Sequence, residues 1–196
     1  MLIIEHRRNA KSELSTTSSR RGVEIDVRVG PGDVVLAHDP FSKGDLLSDW
    51  LTGFSHRFLV VNVKDAGIEN RCKTLLDEAG IRDYFFLDQS IPALVKRARR
   101  GFRDGACRSS VYERPNRLLA SMCEWVWLDT LSPLEQFDTT SEILRLQRMG
   151  LHVCLASPEL DTLSRVNEAQ DLAVRTLGSA VRPDAVCTKF PDLWEF

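Results

Sequence analysis

The chain has 196 residues, 43% of them hydrophobic and 28% charged, with a net charge of −2. That length suits a single domain, spanning 1–196, with a sizeable core. The near-neutral charge excludes a global field that would recruit nucleic acid or an anionic membrane, and no apolar run approaches the ~20 residues of a transmembrane span. The opening MLIIEHRR carries Glu5 and has no basic region ahead of its short apolar run, so it does not read as a secretory signal. Cys72, Cys107, Cys123, Cys154 and Cys187 form no CxxC pair, which leaves a zinc ribbon or thioredoxin motif unsupported. They read as small buried hydrophobes, reduced as in the cytoplasm.

Short β-branched runs punctuate the chain in order: LIIEH (2–6), VEIDVRV (23–29), FLVVNVK (58–64), YFFLD (84–88), SSVYE (109–113), WVWLD (125–129), HVCLA (152–156) and DAVCT (184–188). Most are near-continuous apolar segments bounded by polar residues or glycine, the pattern of strands buried on both faces of a parallel sheet. Between the first two, residues 7–22 are too polar and irregular to predict a helix. VVLAH (34–38) follows the second run after the turn PGD, too soon for a crossover, and reads as a hairpin-like excursion. DLLSDWLTGF (45–54) suits a short amphipathic helix. Helical spacing then recurs in IENRCKTLLDEAG (68–80), SIPALVKRARRG (90–101), PNRLLASMCE (115–124), TTSEILRLQRMG (139–150) and TLSRVNEAQDLAVRTLG (162–178). Several of these close on glycine, and Thr or Ser residues offer caps at the start of 139–150.

Eight strands with helices between them predict an α/β fold, a compact (β/α)₈ TIM-type barrel with some helices shortened or missing, since such barrels typically use ~250 residues. A doubly wound open sheet is the alternative, but no GxGxxG follows the first strand. In a barrel the chemistry gathers at the carboxyl ends of the strands. Those ends carry His6 and Arg7, Glu24 and Asp26, Asn62 and Lys64, Asp88, Glu113, Asp129, Ser157 and Lys189. Polar groups at the ends of apolar strands cost free energy unless they are paired or bind something.

Glu24 and Asp26 are two apart, so both face the same side of their strand. Two inward carboxylates raise one another's pKa unless a cation lies between them, and a hard ion, Mg²⁺ or Ca²⁺, takes oxygen ligands of this kind. Asn62 and Lys64 repeat the spacing one strand later, offering an amide oxygen and an ammonium. The basic stretch KRARRGFRDGACR (96–108) lacks interleaved aromatics beyond Phe102 and reads as a solvated helix end. Trp125 and Trp127 share a strand face and read as packing residues.

The order of His6-Arg7, Glu24-Ile25-Asp26, His38-Asp39 and Asn62-Val63-Lys64 resembles the glycerophosphodiester phosphodiesterase family, relatives of the phosphatidylinositol-specific phospholipase C barrels. The motifs lie in the first third of the chain, and PDAVCTKFP near its end is similar to a later family segment. The resemblance implies a metal-dependent phosphodiester hydrolase acting on a small glycerophosphodiester-like substrate. In that reading His6 and His38 are the general acid and base, Arg7 and Lys64 bind the phosphoryl oxygens, and Glu24, Asp26 and Asn62 hold the metal.

The chain departs from the family pattern in three places. Asn62 stands where the family has a carboxylate, and Glu113 or Asp129 are candidate substitutes. Arg8 replaces the glycine that follows His-Arg, threatening a clash or adding a cation. The asparagine-threonine helix signal is lacking, and residues 39–57 are too short for the family's small inserted domain, so the pocket is expected to be open. Two other functions fit the same motifs: a non-catalytic phosphate-binding scaffold with a decayed metal site, and a lyase-like enzyme releasing a cyclic phosphate.

Overall fold

A computed structural model describes residues 1–131 and 138–195. The strands are β1 (Leu2–Glu5), β2 (Gly22–Val29), β3 (Val34–Leu36), β4 (Leu59–Val63), β5 (Tyr84–Leu87), β6 (Ala106–Ser109), β7 (Trp125–Leu128), β8 (His152–Ala156) and β9 (Ala185–Thr188). Their spatial order is β5-β4-β2-β1-β9-β8-β7-β6, with β3 paired to β2. Every ladder along that path is parallel, and β3 alone runs antiparallel. The two edge strands, β5 and β6, meet through a single parallel bridge between Phe86 and Gly105. The molecule is therefore a nearly closed barrel of eight parallel strands with a β2–β3 hairpin extending from its rim. This is the compact (β/α)₈ architecture that the strand rhythm predicts.

Helices α1 (Lys11–Leu14), α2 (Leu47–Leu51), α3 (Glu69–Glu78), α4 (Ile91–Ala98), α5 (Arg117–Ala120), α6 (Thr139–Arg148) and α7 (Val166–Leu177) lie between the strands. The segment 7–22, without a predicted helix, contains only the single turn α1. The cap of α6 is Asp138, whose side chain accepts from Ser141 N, rather than a Thr or Ser. Leu163–Arg165 make a 3-10 turn, so α7 begins later than the periodicity suggests. Gly80 and Gly150, with φ of +73° and +82°, close α3 and α6 as expected.

The sixth strand lies earlier than the β-branched run SSVYE predicts, at Ala106–Ser109 instead of 109–113. Beyond it Ser110 makes a tight turn: its N–H donates to the Glu113 carbonyl (2.7 Å), and its hydroxyl accepts from Tyr112 N and Glu113 N. A serine hydroxyl that satisfies nearby backbone N–H groups competes with a ladder. The basic stretch 96–108 is also not wholly solvated. Arg97 is buried against Asp104 and Asn70, with its guanidinium over the rings of Phe86 and Phe102. Arg108 faces the barrel mouth.

Strand alternation separates the packing into three clusters. Ile4, Val60, Phe85, Leu87, Trp127, Cys154 and Cys187 fill the barrel interior, and two further clusters lie between the strands and the outer helices. Both tryptophans of β7 point inward, with Trp125 stacked on Phe85 at the lower end (5.2 Å between ring centroids). All five cysteines are buried and unpaired. Among the described residues no helix is long and apolar enough to cross a membrane.

Arg8 does not clash. Its guanidinium turns to the outer side of β1 and pairs with Glu5, while its carbonyl accepts the indole N–H of fully buried Trp50 (3.0 Å). Glu5, 3% exposed, is held by Arg21 (2.8 Å) as well as Arg8. Burial works to raise its carboxyl, but the two guanidinium groups hold it below the ordinary value. This stabilisation is complete above the pKa of an unfolded glutamate and is lost as pH falls through the lower folded value. Glu5→Gln is therefore expected to cost about 1.5–3 kcal/mol at neutral pH. The cost should shrink on acidification, as read by urea denaturation at a series of pH values.

Candidate active site

The inward positions at the carboxyl ends of the strands converge on a cavity of about 180 Å³ lined by His6, Arg7, Glu24, Asp26, His38, Asn62, Lys64, Arg108, Trp127, Asp129, Ser157 and Asp161, among others. A larger cavity, about 770 Å³, lies between α5 and α6 and contains none of these residues. Glu24 pairs in register with Val60, an interior residue, and Asp26 with Asn62. Both carboxylates therefore point into the barrel, 0% and 1% exposed.

The floor is a dense polar network. Glu24 Oε2 accepts from the backbone N–H of Arg7 (2.8 Å), and Oε1 accepts from Asn62 Nδ2 (3.1 Å). Arg7 has a φ of +54°, and this left-handed turn, one residue before the family's glycine position, delivers that N–H. Asp26 Oδ1 lies 3.2 Å from Lys64 Nζ, and Oδ2 lies 3.5 Å from Arg7 Nε. Asn9, which the motif reading passes over, clamps Asp26 from behind. Its Nδ2 donates to Asp26 Oδ2 (3.0 Å) and its Oδ1 accepts from Asp26 N (2.8 Å). Burial, and next the Asp26 charge, push the Glu24 carboxyl up.

The two histidines stand in different settings. His6 Nε2 is 3.7 Å from Glu24 Oε2. Burial lowers its pKa to about 3, with Arg7, Lys189 and Lys64 contributing, so its imidazole is neutral at pH 7. Lys189, at the end of β9, donates to the carbonyls of Glu159 (3.0 Å) and Leu160 (3.4 Å). His38 is more exposed and has its Nδ1 2.7 Å from Asp39 Oδ1. The hydrogen bond to His38 holds the Asp39 carboxyl low. The hairpin anchors His38, because Arg28 donates to its carbonyl (3.1 and 3.0 Å) and is itself fixed by Asp65 (2.6 Å).

The opposite wall comes from β6, β7 and β8. Arg108 bridges Asp88 (2.6 Å) and Asp129, and Trp127 Nε1 donates to Asp129 Oδ1 (2.8 Å). Asp129 thus reaches the cavity, but with its oxygens engaged. Glu113 does not reach it: it follows the Ser110 turn, is exposed, and lines a neighbouring cavity. It therefore cannot substitute for the missing carboxylate at Asn62. Arg108 was hidden in the basic run; the only local signal was its alternation with Cys107 and Ser109, which points it inward.

A compact barrel with a carboxylate-floored, histidine-bearing mouth is the structural class this defines. No protein-family model matches the sequence, and no curated protein does. Solved structures share its fold. A glycerophosphoryl diester phosphodiesterase from Parabacteroides distasonis superposes with a TM-score of 0.65 at 13% identity, over 98% of this chain and 84% of that one. A glycerophosphodiester phosphodiesterase from Agrobacterium tumefaciens gives 0.63 at 13%, over 99% of both chains. An Oleispira antarctica phosphodiesterase in complex with the product sn-glycerol-3-phosphate gives 0.59 at 17%, over 99% of this chain and 95% of the other. The fold of this chain is that of the glycerophosphodiester phosphodiesterases.

The donor set suits a hard cation. Among the described residues no three His, Cys, Asp or Glu side chains form a metal cluster. Two adjacent buried carboxylates are nonetheless present, and Asn62 Oδ1 is buried without a hydrogen-bond partner. Mg²⁺ is commonly held by one or two carboxylates plus water and phosphate oxygens.

Proposed function

We propose that the chain is a divalent-cation-dependent hydrolase of small glycerophosphodiester-like substrates. One observation carries this reading: two imidazoles, two inward carboxylates and the cations Arg7 and Lys64 line one cavity. The charge balance supports it. Glu24 and Asp26 repel one another in a buried site, a cost that a divalent ion between them would relieve, and Arg7, Lys64 and Arg108 line the same cavity as cations for a phosphodiester anion. Glu24, Asp26 and the Asn62 amide oxygen would hold Mg²⁺ or Ca²⁺. When bound, the ion would supply charge stabilisation to the phosphoryl oxygens.

Arg7 and Lys64 orient the phosphoryl group. Neutral His6 accepts the proton of the attacking hydroxyl as its oxygen bonds to phosphorus, and His38, held by Asp39, donates a proton to the departing alcohol as the second phosphorus–oxygen bond breaks. The attacking hydroxyl belongs either to water or to the substrate carbon next to the ester. Phosphorus NMR distinguishes the two, since only the latter passes through a cyclic phosphate. The test is a panel of small phosphodiesters assayed with Mg²⁺ and with Ca²⁺. We expect turnover that a chelator removes and added metal restores.

A second reading draws on the closed state of the floor. Asn62 already donates to Glu24, and Lys64 and Arg7 already pair with Asp26, as in a phosphate-binding protein without catalysis. Phosphate binding with no turnover anywhere in the panel would favour it over hydrolysis.

A further inference from the structure

His6 is held at the mouth through its backbone. Its N–H donates to the Thr188 carbonyl (3.0 Å), which extends the β1–β9 ladder one bond beyond the Glu5–Thr188 pair. The ring has no hydrogen bond among the described residues and stands 3.7 Å from Glu24. Where the imidazole lies therefore depends on where the end of β9 lies. β9 stops at Thr188, and a side chain from the neighbouring loop fixes it there.

That side chain is Glu159. It lies in the 3-10 turn Pro158–Leu160 that follows β8, and Pro158 presets the first φ of the turn. Glu159 is fully buried, and its Oε1 accepts from the Thr188 hydroxyl (2.5 Å) and from Lys189 N (2.9 Å). The Thr188 hydroxyl in turn accepts from Phe190 N (2.9 Å), and Lys189 Nζ donates back to the Glu159 carbonyl (3.0 Å). One carboxylate thus ties together three successive residues at the end of β9. It forms no ion pair among the described residues, and its Oε2 has no hydrogen-bond partner there. A buried carboxylate without a cation costs free energy, so core stability by itself would favour an apolar side chain at this position. The turn and its flanks also wall the proposed catalytic cavity, through Ser157, Leu160 and Asp161.

We propose that Glu159 is a positioning residue for His6: its grip on Thr188 and Lys189 sets the end of β9, and with it the place of the imidazole beside Glu24. That the imidazole so placed acts as a base rests on the phosphodiesterase reading. Glu159→Ala removes the acceptor, whereas Glu159→Gln keeps it, since an amide oxygen accepts the same two hydrogen bonds. With Mg²⁺ or Ca²⁺ supplied, E159A is expected to lose kcat by about ten- to a hundredfold, the scale of a small misplacement of a reacting group, with KM little changed. E159Q should recover most of that loss. The His6 ring resonances in the NMR spectrum of the whole chain should move in E159A and return in E159Q, a readout that needs no turnover. Glu142→Gln, at a buried carboxylate of α6 that accepts from Ser109 of β6, controls for lost stability and should move neither.

Should E159A fail to fold, Thr188→Val removes the donor hydroxyl instead and is expected to move the same resonances and lower kcat. Unmoved His6 resonances in folded E159A or T188V, or a loss of kcat in E159Q as large as in E159A, overturn the positioning role. A lower melting temperature with kcat and the resonances unchanged overturns it as well. Resonances that move in E159A and return in E159Q, in a chain that turns over no diester, uphold the hold on His6 and defeat the hydrolase reading. Turnover by the wild type with unmoved resonances in the variants defeats this proposal alone.

Discussion

His6→Gln is expected to lower phosphodiester turnover by roughly 10²–10⁴-fold, the usual contribution of a positioned acid or base, while leaving the fold intact. The fold should survive because the His6 side chain carries no ladder contact. Its backbone N–H donates to the Thr188 carbonyl (3.0 Å), and its ring comes no closer than 3.7 Å to Glu24. Glutamine keeps the volume and polarity but cannot accept the proton. His38→Gln should lose turnover over the same range for the complementary step. The loss should be smaller for a substrate with an acidic leaving alcohol such as nitrophenol, since that group departs without a proton. Steady-state kinetics on the two substrate classes, with circular dichroism as the control for folding, check both variants. An H6Q enzyme within tenfold of wild type would remove the imidazole from the mechanism.

Asn62→Glu should turn a modest cation site into a strong one, with a destabilised metal-free form. The substitution replaces the amide N–H that donates to Glu24 with a third carboxylate beside two buried ones. Without a cation the added charge is uncompensated, a situation that costs on the order of 3 kcal/mol. A divalent ion that binds the folded state alone recovers that loss by mass action. The expected result is a lower melting temperature in chelator, a larger rise on adding Mg²⁺ or Ca²⁺ than in wild type, and metal affinity increased by about tenfold or more. Thermal melts against metal concentration read this without reference to turnover. A melting temperature as indifferent to metal in N62E as in chelator-treated wild type would show that the Glu24–Asp26 floor does not hold a cation. Higher turnover in N62E would identify the Asn62 amide as what limits the native site.

Much of this site is written in short-range spacing. Glu24 and Asp26 share a face because strand side chains alternate, and the apolar residues that alternate with them, Val23, Ile25 and Val27, are claimed by the outer core. Alternation puts the two carboxylates on one face, and their register beside Val60 and Asn62 makes that face the barrel interior. Asn62 and Lys64 follow the same rule, and the hairpin that returns His38 to the mouth is announced by PGD between two apolar runs. The barrel itself was legible because its strands are buried on both faces and so read as unbroken apolar runs.

Other features depend on where the chain is carried after each strand ends. Glu113 looked like a strand end, but the Ser110 hydroxyl closes a turn first and removes it from the mouth. Arg108 was indistinguishable from its basic neighbours, because a charge run does not say which of its members falls on an inward strand position. Asn9 has no motif of its own and gains its role only when the segment between β1 and α1 carries it against Asp26, 17 residues further along.

The rhythm of apolar runs and the alternation of side chains thus determined the barrel and the shared face of Glu24 and Asp26 from the sequence alone, because those depend on residues close together in the chain. The convergence of β1, β2 and β4 with β6, β7 and β8 on one mouth, the ion pairs of Arg108 and the hold of Glu159 on the end of β9 were decided only by tertiary closure. Those contacts join residues tens of positions apart, whose meeting depends on strand order and stagger and leaves no periodic trace in the chain.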